Sequence, residues 1–159
     1  MMLGYVNNET ETDNIIRRHE DGKLWVHSGD VGYVDKDGFI YVNGRLKRYF
    51  LHIENGIQKK IFSLDIEKVL LKHPKVENCA VVPIADKMTF QVPVAYIILK
   101  EGCRAETDAE TELQAYAIKY LTDGYRPVKY IFTDRFPLTK IGKVGYQVLE
   151  ENSKEYIEN

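Results

Sequence analysis

Cysteine is scarce in this chain. Of 159 residues only Cys79 and Cys103 are cysteines, the first inside an apolar run and the second after a glycine in a polar stretch. Neither belongs to a CxxC, and His19, His27, His52 and His73 show no metal-ligand spacing, so neither a disulfide framework nor a zinc site is expected. Two unpaired cysteines fit a cytoplasmic location best. Long apolar runs are missing as well. Met1-Met2-Leu3-Gly4-Tyr5 gives way at once to Asn, Glu and Thr, with no early apolar segment of the signal-peptide kind and no stretch able to span a bilayer. A soluble protein with no membrane partner is expected. Charge of one sign is also lacking: 22 basic and 24 acidic residues leave a formal charge of -2, with no basic block. Nucleic acid is thereby excluded as a partner. Finally, Gly142-Lys143 is not a phosphate-cradling P-loop, which needs glycine where Pro137 stands and Ser or Thr where Val144 stands.

The length allows one ordinary domain, or a small domain plus an extension. Residues 4 to about 20 are polar, with a helical turn expected through Asp13 to Arg18 and too few apolar residues to fold alone. Leu24 to His27 reads as a strand, and Ser28-Gly29-Asp30 as the break after it. Val31–Val34 and Phe39–Val42 are β-prone runs around Asp35-Lys36-Asp37-Gly38, whose Asp-Gly pair supplies the left-handed backbone of a tight hairpin. Tyr49 to Ile53 is a further strand, turning at Glu54-Asn55-Gly56. Ser63 is expected to cap a helix running through Lys72, with Ile66, Val69 and Leu70 on one face and Pro74 stopping it. His73 reads as a capping or surface histidine.

Residues 78–84 and 92–99 are apolar enough for the centre of a sheet. A helix follows from Asp108 to about Leu121, with Leu113, Ala117 and Leu121 on its core side, joined by Tyr116 and Tyr120. The chain returns as a strand over 125–132, and a short helix from Val144 to about Ser153 closes it, Glu150-Glu151 on its solvated face. Arg126 and Lys129 are cations that suit the phosphates of a ligand, or an exposed sheet edge.

Five words in this order carry a resemblance: Gly4-Tyr5-Val6-Asn7-Asn8, Ser28-Gly29-Asp30, Gly44-Arg45-Leu46-Lys47-Arg48, Asp65-Ile66-Glu67 with His73-Pro74, and Pro137-Leu138-Thr139-Lys140-Ile141-Gly142-Lys143. Each alone is weak; the ordered set resembles the C-terminal part of the acyl-adenylate-forming enzymes, the AMP-dependent synthetases and ligases, and most of all the acyl-CoA synthetases. The resemblance implies an α+β fold, with a β-hairpin extension leading into a small, mostly antiparallel sheet covered by helices. Residues 1–47 would close the large N-terminal domain, and 48–159 would be the mobile C-terminal domain.

By the same resemblance Lys143 is catalytic, touching the reacting carboxylate and the α-phosphate. Asp30 and Arg45 would bind the nucleotide, Gly56 would line the coenzyme A tunnel, and Arg48 would be the hinge. Arg48 stands where Asp or Lys is usual, Ser28 replaces a Thr, and Ser63 stands where a Pro is frequent. The implied cofactors are ATP/AMP, coenzyme A and Mg2+, and the implied partners are a carboxylic acid and the missing large domain, with its ATP loop and acyl pocket. Without that domain the chain would be inactive, and Trp25, Phe39 and Tyr41 would be exposed, inviting self-association. Two alternatives stand beside this reading. One is a stand-alone α+β binding or interaction module in which Gly29-Asp30 and Gly142-Lys143 are ordinary turns. The other is an adenylating relative that loads a carrier-protein thiol or, like luciferase, oxidises its substrate.

Overall fold

The computed structural model describes residues 2–45, 48–103 and 107–155, the side chains of 43–45 and 107 excepted. The chain divides into two compact units, Met1–Lys47 and Arg48–Asn159.

The first unit opens with α1 (Glu9–Ile15), whose cap is Asn8: its side-chain oxygen accepts the Glu11 N–H at 3.1 Å, and Glu9 and Glu11 put negative charge at the positive helix end. The helical turn expected at 13–18 is therefore displaced towards the N-terminus. After Ile15 the chain extends, because β1 (Ile16–Arg18) pairs antiparallel with β2 (Leu24–Val26). A second ribbon joins β3 (Asp30–Val34) to β4 (Ile40–Arg45), antiparallel, with Tyr33 stacked on Tyr41 at 5.0 Å. Its turn is closed by the Asp35 carboxylate, which accepts the N–H groups of Asp37 and Phe39. Those bonds favour the charged carboxylate and lower its pKa against a desolvation effect that acts the other way. The hairpin anticipated at 31–42 is present in that register. Gly32 is obligatory for packing, since a Cβ there would lie 2.3 Å from the Tyr41 carbonyl oxygen.

The second unit is built on a three-stranded sheet in the order β7-β8-β9. Leading into it are the hairpin β5 (Tyr49–Glu54) and β6 (Ile57–Phe62), then α2 (Ser63–Leu70). β7 (Val76–Asp86) pairs antiparallel with β8 (Phe90–Leu99). α3 (Thr107–Tyr120) crosses back so that β9 (Lys129–Phe132) lies parallel to β8, and α4 (Tyr146–Lys154) follows. Period-two alternation sends successive side chains to opposite faces, and both faces are covered. Cys79, Val81, Ala95, Ile97 and Tyr130 join Phe50, Ile61, Ile66, Leu70 and Leu113 on one side. Ala80, Val82, Ile84, Val94 and Tyr96 join Phe136 and Leu149 on the other. This double burial explains why β7 and β8 read as nearly continuous apolar runs. Ile66→Ala, at a fully buried position of α2, should cost about 3 kcal/mol through lost burial and an unfilled cavity, measurable by chemical denaturation of the chain.

Three local expectations are corrected here. Ser63 is not a cap: it is the first helical residue, Phe62 precedes it without a side-chain bond, and the Ser63 N–H is spent on the Arg48 carbonyl at 3.2 Å. His73 is buried rather than superficial, edge-on to the Tyr116 ring at 4.9 Å, and burial lowers its pKa. The strand expected from Tyr125 begins only at Lys129, because Asp123–Tyr125 is a 3-10 turn and Arg126 folds back. Its guanidinium donates to the Leu121 carbonyl at 2.9 Å, to the Ile118 carbonyl at 3.3 Å and to the Asp123 carboxylate. Arg126 thus satisfies carbonyls at the end of α3.

Candidate functional site

Lys143 lies in a loop whose geometry follows from its own short-range bonds. The Thr139 N–H donates to the Lys143 carbonyl at 2.7 Å, the Gly142 N–H to the Thr139 carbonyl at 2.9 Å, and the Lys143 N–H to the Thr139 hydroxyl at 3.1 Å. The Gly145 N–H closes the base on the Pro137 carbonyl at 2.7 Å. Gly142 holds a φ of +74°, the left-handed conformation that reverses the chain just before Lys143. Leu138, Ile141 and Lys143 are exposed at the tip, while buried Phe136 and Gly145 root the two ends. Among the described residues the Lys143 ammonium has no acidic partner at ion-pair distance. Lys143, like its exposed neighbour Lys140, is therefore held out on a backbone-braced arm.

Gly56 belongs to the same unit, in the Asn55-Gly56 turn between β5 and β6, with φ values of 53° and 76°. Its left-handed backbone is what requires glycine, since a Cβ would meet nothing within 4 Å. The hairpin packs through Phe50 and Ile61 on one face of the sheet, and the Lys143 loop is rooted through Phe136, Val144 and Leu149 on the other. The two loops are thus anchored on opposite faces of one rigid layer.

In the first unit, Asp30 opens β3 and Arg45 ends β4, and the register sets them directly opposite each other. Two of the sequence-predicted residues, far apart in the chain, become a cross-strand pair; the Arg45 side chain lies outside the described residues. The Asp30 N–H donates to the Ser28 hydroxyl at 3.2 Å, which shapes the turn before the strand.

Arg48 is the first residue of the second unit, and it is more than a connector. Its guanidinium meets Glu67 Oε1 at 2.5 Å and lies over the Tyr146 ring, 3.7 Å from the centroid. Glu67 is 5% exposed in its side chain, and the same oxygen accepts the Val81 N–H at 2.8 Å. Burial pushes the Glu67 pKa up, opposed by the Arg48 charge and by these hydrogen bonds. Burial likewise raises the Tyr146 phenol. Glu67 and Tyr146 were missed in the sequence. A signal existed: Ser63, Ile66, Glu67 and Leu70 share the buried stripe of α2, and a carboxylate on such a stripe requires a cation.

Among the described residues no group of three or more His, Cys, Asp or Glu side chains gathers to hold a metal ion. Nor is any described helix long and apolar enough to cross a membrane.

Residues 65–143 match the family model described as the AMP-binding enzyme C-terminal domain. The chain is 35% identical over 144 residues to 4-coumarate–CoA ligase 3 of Oryza sativa subsp. japonica, covering 91% of this chain and 24% of that one. Among solved structures, o-succinylbenzoate CoA synthetase from Bacillus subtilis, in complex with its acyl-adenylate intermediate, is 30% identical with a TM-score of 0.74, covering 94% of this chain and 28% of that one. The ATP-bound RpMatB-BxBclM chimera B1 is 26% identical with a TM-score of 0.80, covering 96% and 29% respectively. The chain spans less than half the length of the first curated relatives it matches. Ordered motifs, a sheet covered on both faces, a braced lysine loop and these likenesses agree, and the chain belongs to the acyl-adenylate-forming enzymes, of which it carries the C-terminal domain.

Proposed function

We propose that this chain is the mobile C-terminal part of an ATP-dependent carboxylate–CoA ligase. In the first half-reaction a carboxylate oxygen of the substrate attacks the α-phosphorus of ATP, the bond to the β-phosphate oxygen breaks, and pyrophosphate leaves. In the second, the coenzyme A thiolate attacks the acyl carbonyl carbon and AMP leaves. Lys143 supplies its ammonium to the charge that develops around the α-phosphorus in the first step. Asp30 accepts hydrogen bonds from the ribose hydroxyls, and Arg45 donates to the nucleotide beside it. Residues 1–47 end the large domain, Arg48 marks the hinge, and the Gly56 turn lines the path of the pantetheine arm once the domain has rotated.

The observation that carries this reading is the anchoring of the Lys143 loop and the Gly56 turn on opposite faces of one sheet. Two chemically different steps at one centre need two different surfaces, and a rigid layer with a loop on each side provides them by rotation. The exposed Trp25, Phe39 and Tyr41 fit burial against the large domain, and in the isolated chain they favour self-association. Free Cys79 and Cys103 accord with a reducing compartment such as the cytoplasm. The test is product analysis. The full-length enzyme, given ATP, coenzyme A and a panel of carboxylic acids, is expected to yield AMP, pyrophosphate and thioester in equal amounts for at least one acid. Release of ADP and phosphate, or no nucleotide turnover with any acid, overturns the reading.

A further inference from the structure

β7 is an edge strand, so its outward N–H groups need partners from elsewhere. Val81 finds one in Glu67, and it is there, where the two covered faces of the sheet meet, that Arg48, Glu67 and Tyr146 come together from β5's approach, α2 and α4. Tyr146 is the first residue of α4 and directly follows Gly145, whose N–H closes the Lys143 loop on Pro137. The later turns of α4 are held independently: Leu149 and Ser153 are buried, and the Tyr96 hydroxyl donates to the Leu149 carbonyl at 3.0 Å. At the start of the helix, the downstream root of the loop, the Arg48 stack adds to the packing of Val144 and Tyr146 against the sheet.

We propose that Glu67 and Tyr146 are positioning residues which, with Arg48, form a clamp at the β7 edge that fixes the Lys143 loop to the first residue of the second unit. The carboxylate aims the guanidinium, the guanidinium holds the ring face, and the ring holds the root of the loop. Its catalytic meaning rests on the function proposed above: rotation about the hinge then carries Lys143 with Arg48, without slack between pivot and loop. The Ser63 N–H bond to the Arg48 carbonyl holds the backbone of the same residue.

Hydrogen exchange in the chain itself tests the clamp without reference to catalysis. In Tyr146→Leu the amides of Thr139, Gly142, Lys143 and Gly145 are expected to exchange about ten-fold faster or more, while those at the centre of β8 keep their protection. Tyr146→Phe, which keeps the ring face and loses only the hydroxyl's bond to Glu67, should loosen those four amides much less than Tyr146→Leu. Glu67→Gln, which keeps an acceptor for Val81 but loses the charge that aims Arg48, should loosen the same four amides. Loop amides unchanged in both Tyr146→Leu and Glu67→Gln, or an acceleration spread equally over the whole chain, overturns the proposal. Should Tyr146→Leu fail to fold, Glu67→Gln decides by the same readout. A full-length enzyme that never adenylates removes the functional reading and leaves the exchange result standing.

Discussion

Lys143→Ala in the full-length enzyme is expected to slow acyl-adenylate formation by about a hundred- to a thousand-fold, the usual cost of losing one preorganised donor at a centre of developing charge. The expectation follows from how the loop is made. The bonds of Thr139, Gly142, Lys143 and Gly145 brace the backbone, so on the proposed function the lysine would be presented to the reacting phosphate from a preformed loop. Its neighbours Ile141 and Leu138 are exposed and apolar, and docking of the tip would strip water from the site and strengthen the interaction. Carboxylate-dependent ATP–pyrophosphate exchange measures this step. Lys140→Ala, at an exposed neighbour in the same loop, serves as the comparison that removes a charge without removing that lysine.

Arg48→Met should destabilise the chain by about 3 kcal/mol at neutral pH, the low end for removing one partner of a buried pair, because Arg48 itself remains about a quarter exposed. Glu67 would be left charged and buried. Its pKa is already raised above the ordinary 4.5, burial being the largest cause, and losing Arg48 raises it further. A carboxyl whose folded pKa is raised binds its proton more tightly when folded. The associated stability is therefore complete below the unfolded value and is lost as pH rises through the folded one. The gap between wild type and Arg48→Met should accordingly narrow as pH falls towards 4.5, and unfolding by denaturant at several pH values checks it. Adding Glu67→Gln should recover most of the loss, since the amide leaves no charge to compensate and keeps an acceptor for the buried Val81 N–H. A double variant as unstable as Arg48→Met would show that packing on Tyr146, and not the charge, sets the cost.

What could be read from the chain was what short-range chemistry decides. Asp35, Asp37 and Gly38 dictate a hairpin through bonds within five residues, and the apolar runs of β7 and β8 announce a doubly covered sheet. The α+β architecture and the adenylate-forming resemblance follow from such words in order. What remained hidden depends on partners far along the chain. Arg126 leaves the ligand-binding candidates because the end of α3 and the turn after it present it with the Ile118 and Leu121 carbonyls and Asp123. His73 is buried by Tyr116, forty-three positions on. Glu67 looked like one more helix carboxylate until β7 offered an unpaired N–H and Arg48 a charge. At the candidate site, Lys143, Gly56, Asp30, Arg45 and Arg48 were visible as residue types; the opposite anchoring of two loops and the clamp between α2 and α4 belong to the folded sheet alone.

The central claim is a division of labour, in which one loop of a moving domain serves the first half-reaction and another serves the second. Supplying preformed acyl-adenylate and coenzyme A to the full-length Lys143→Ala enzyme isolates the second step, and rapid quenching gives its rate. The account predicts thioester formation at the wild-type rate in a variant whose pyrophosphate exchange has collapsed. A transfer step that falls in parallel with the exchange would contradict it, because Lys143 would then be serving both steps from a single arrangement of the domain.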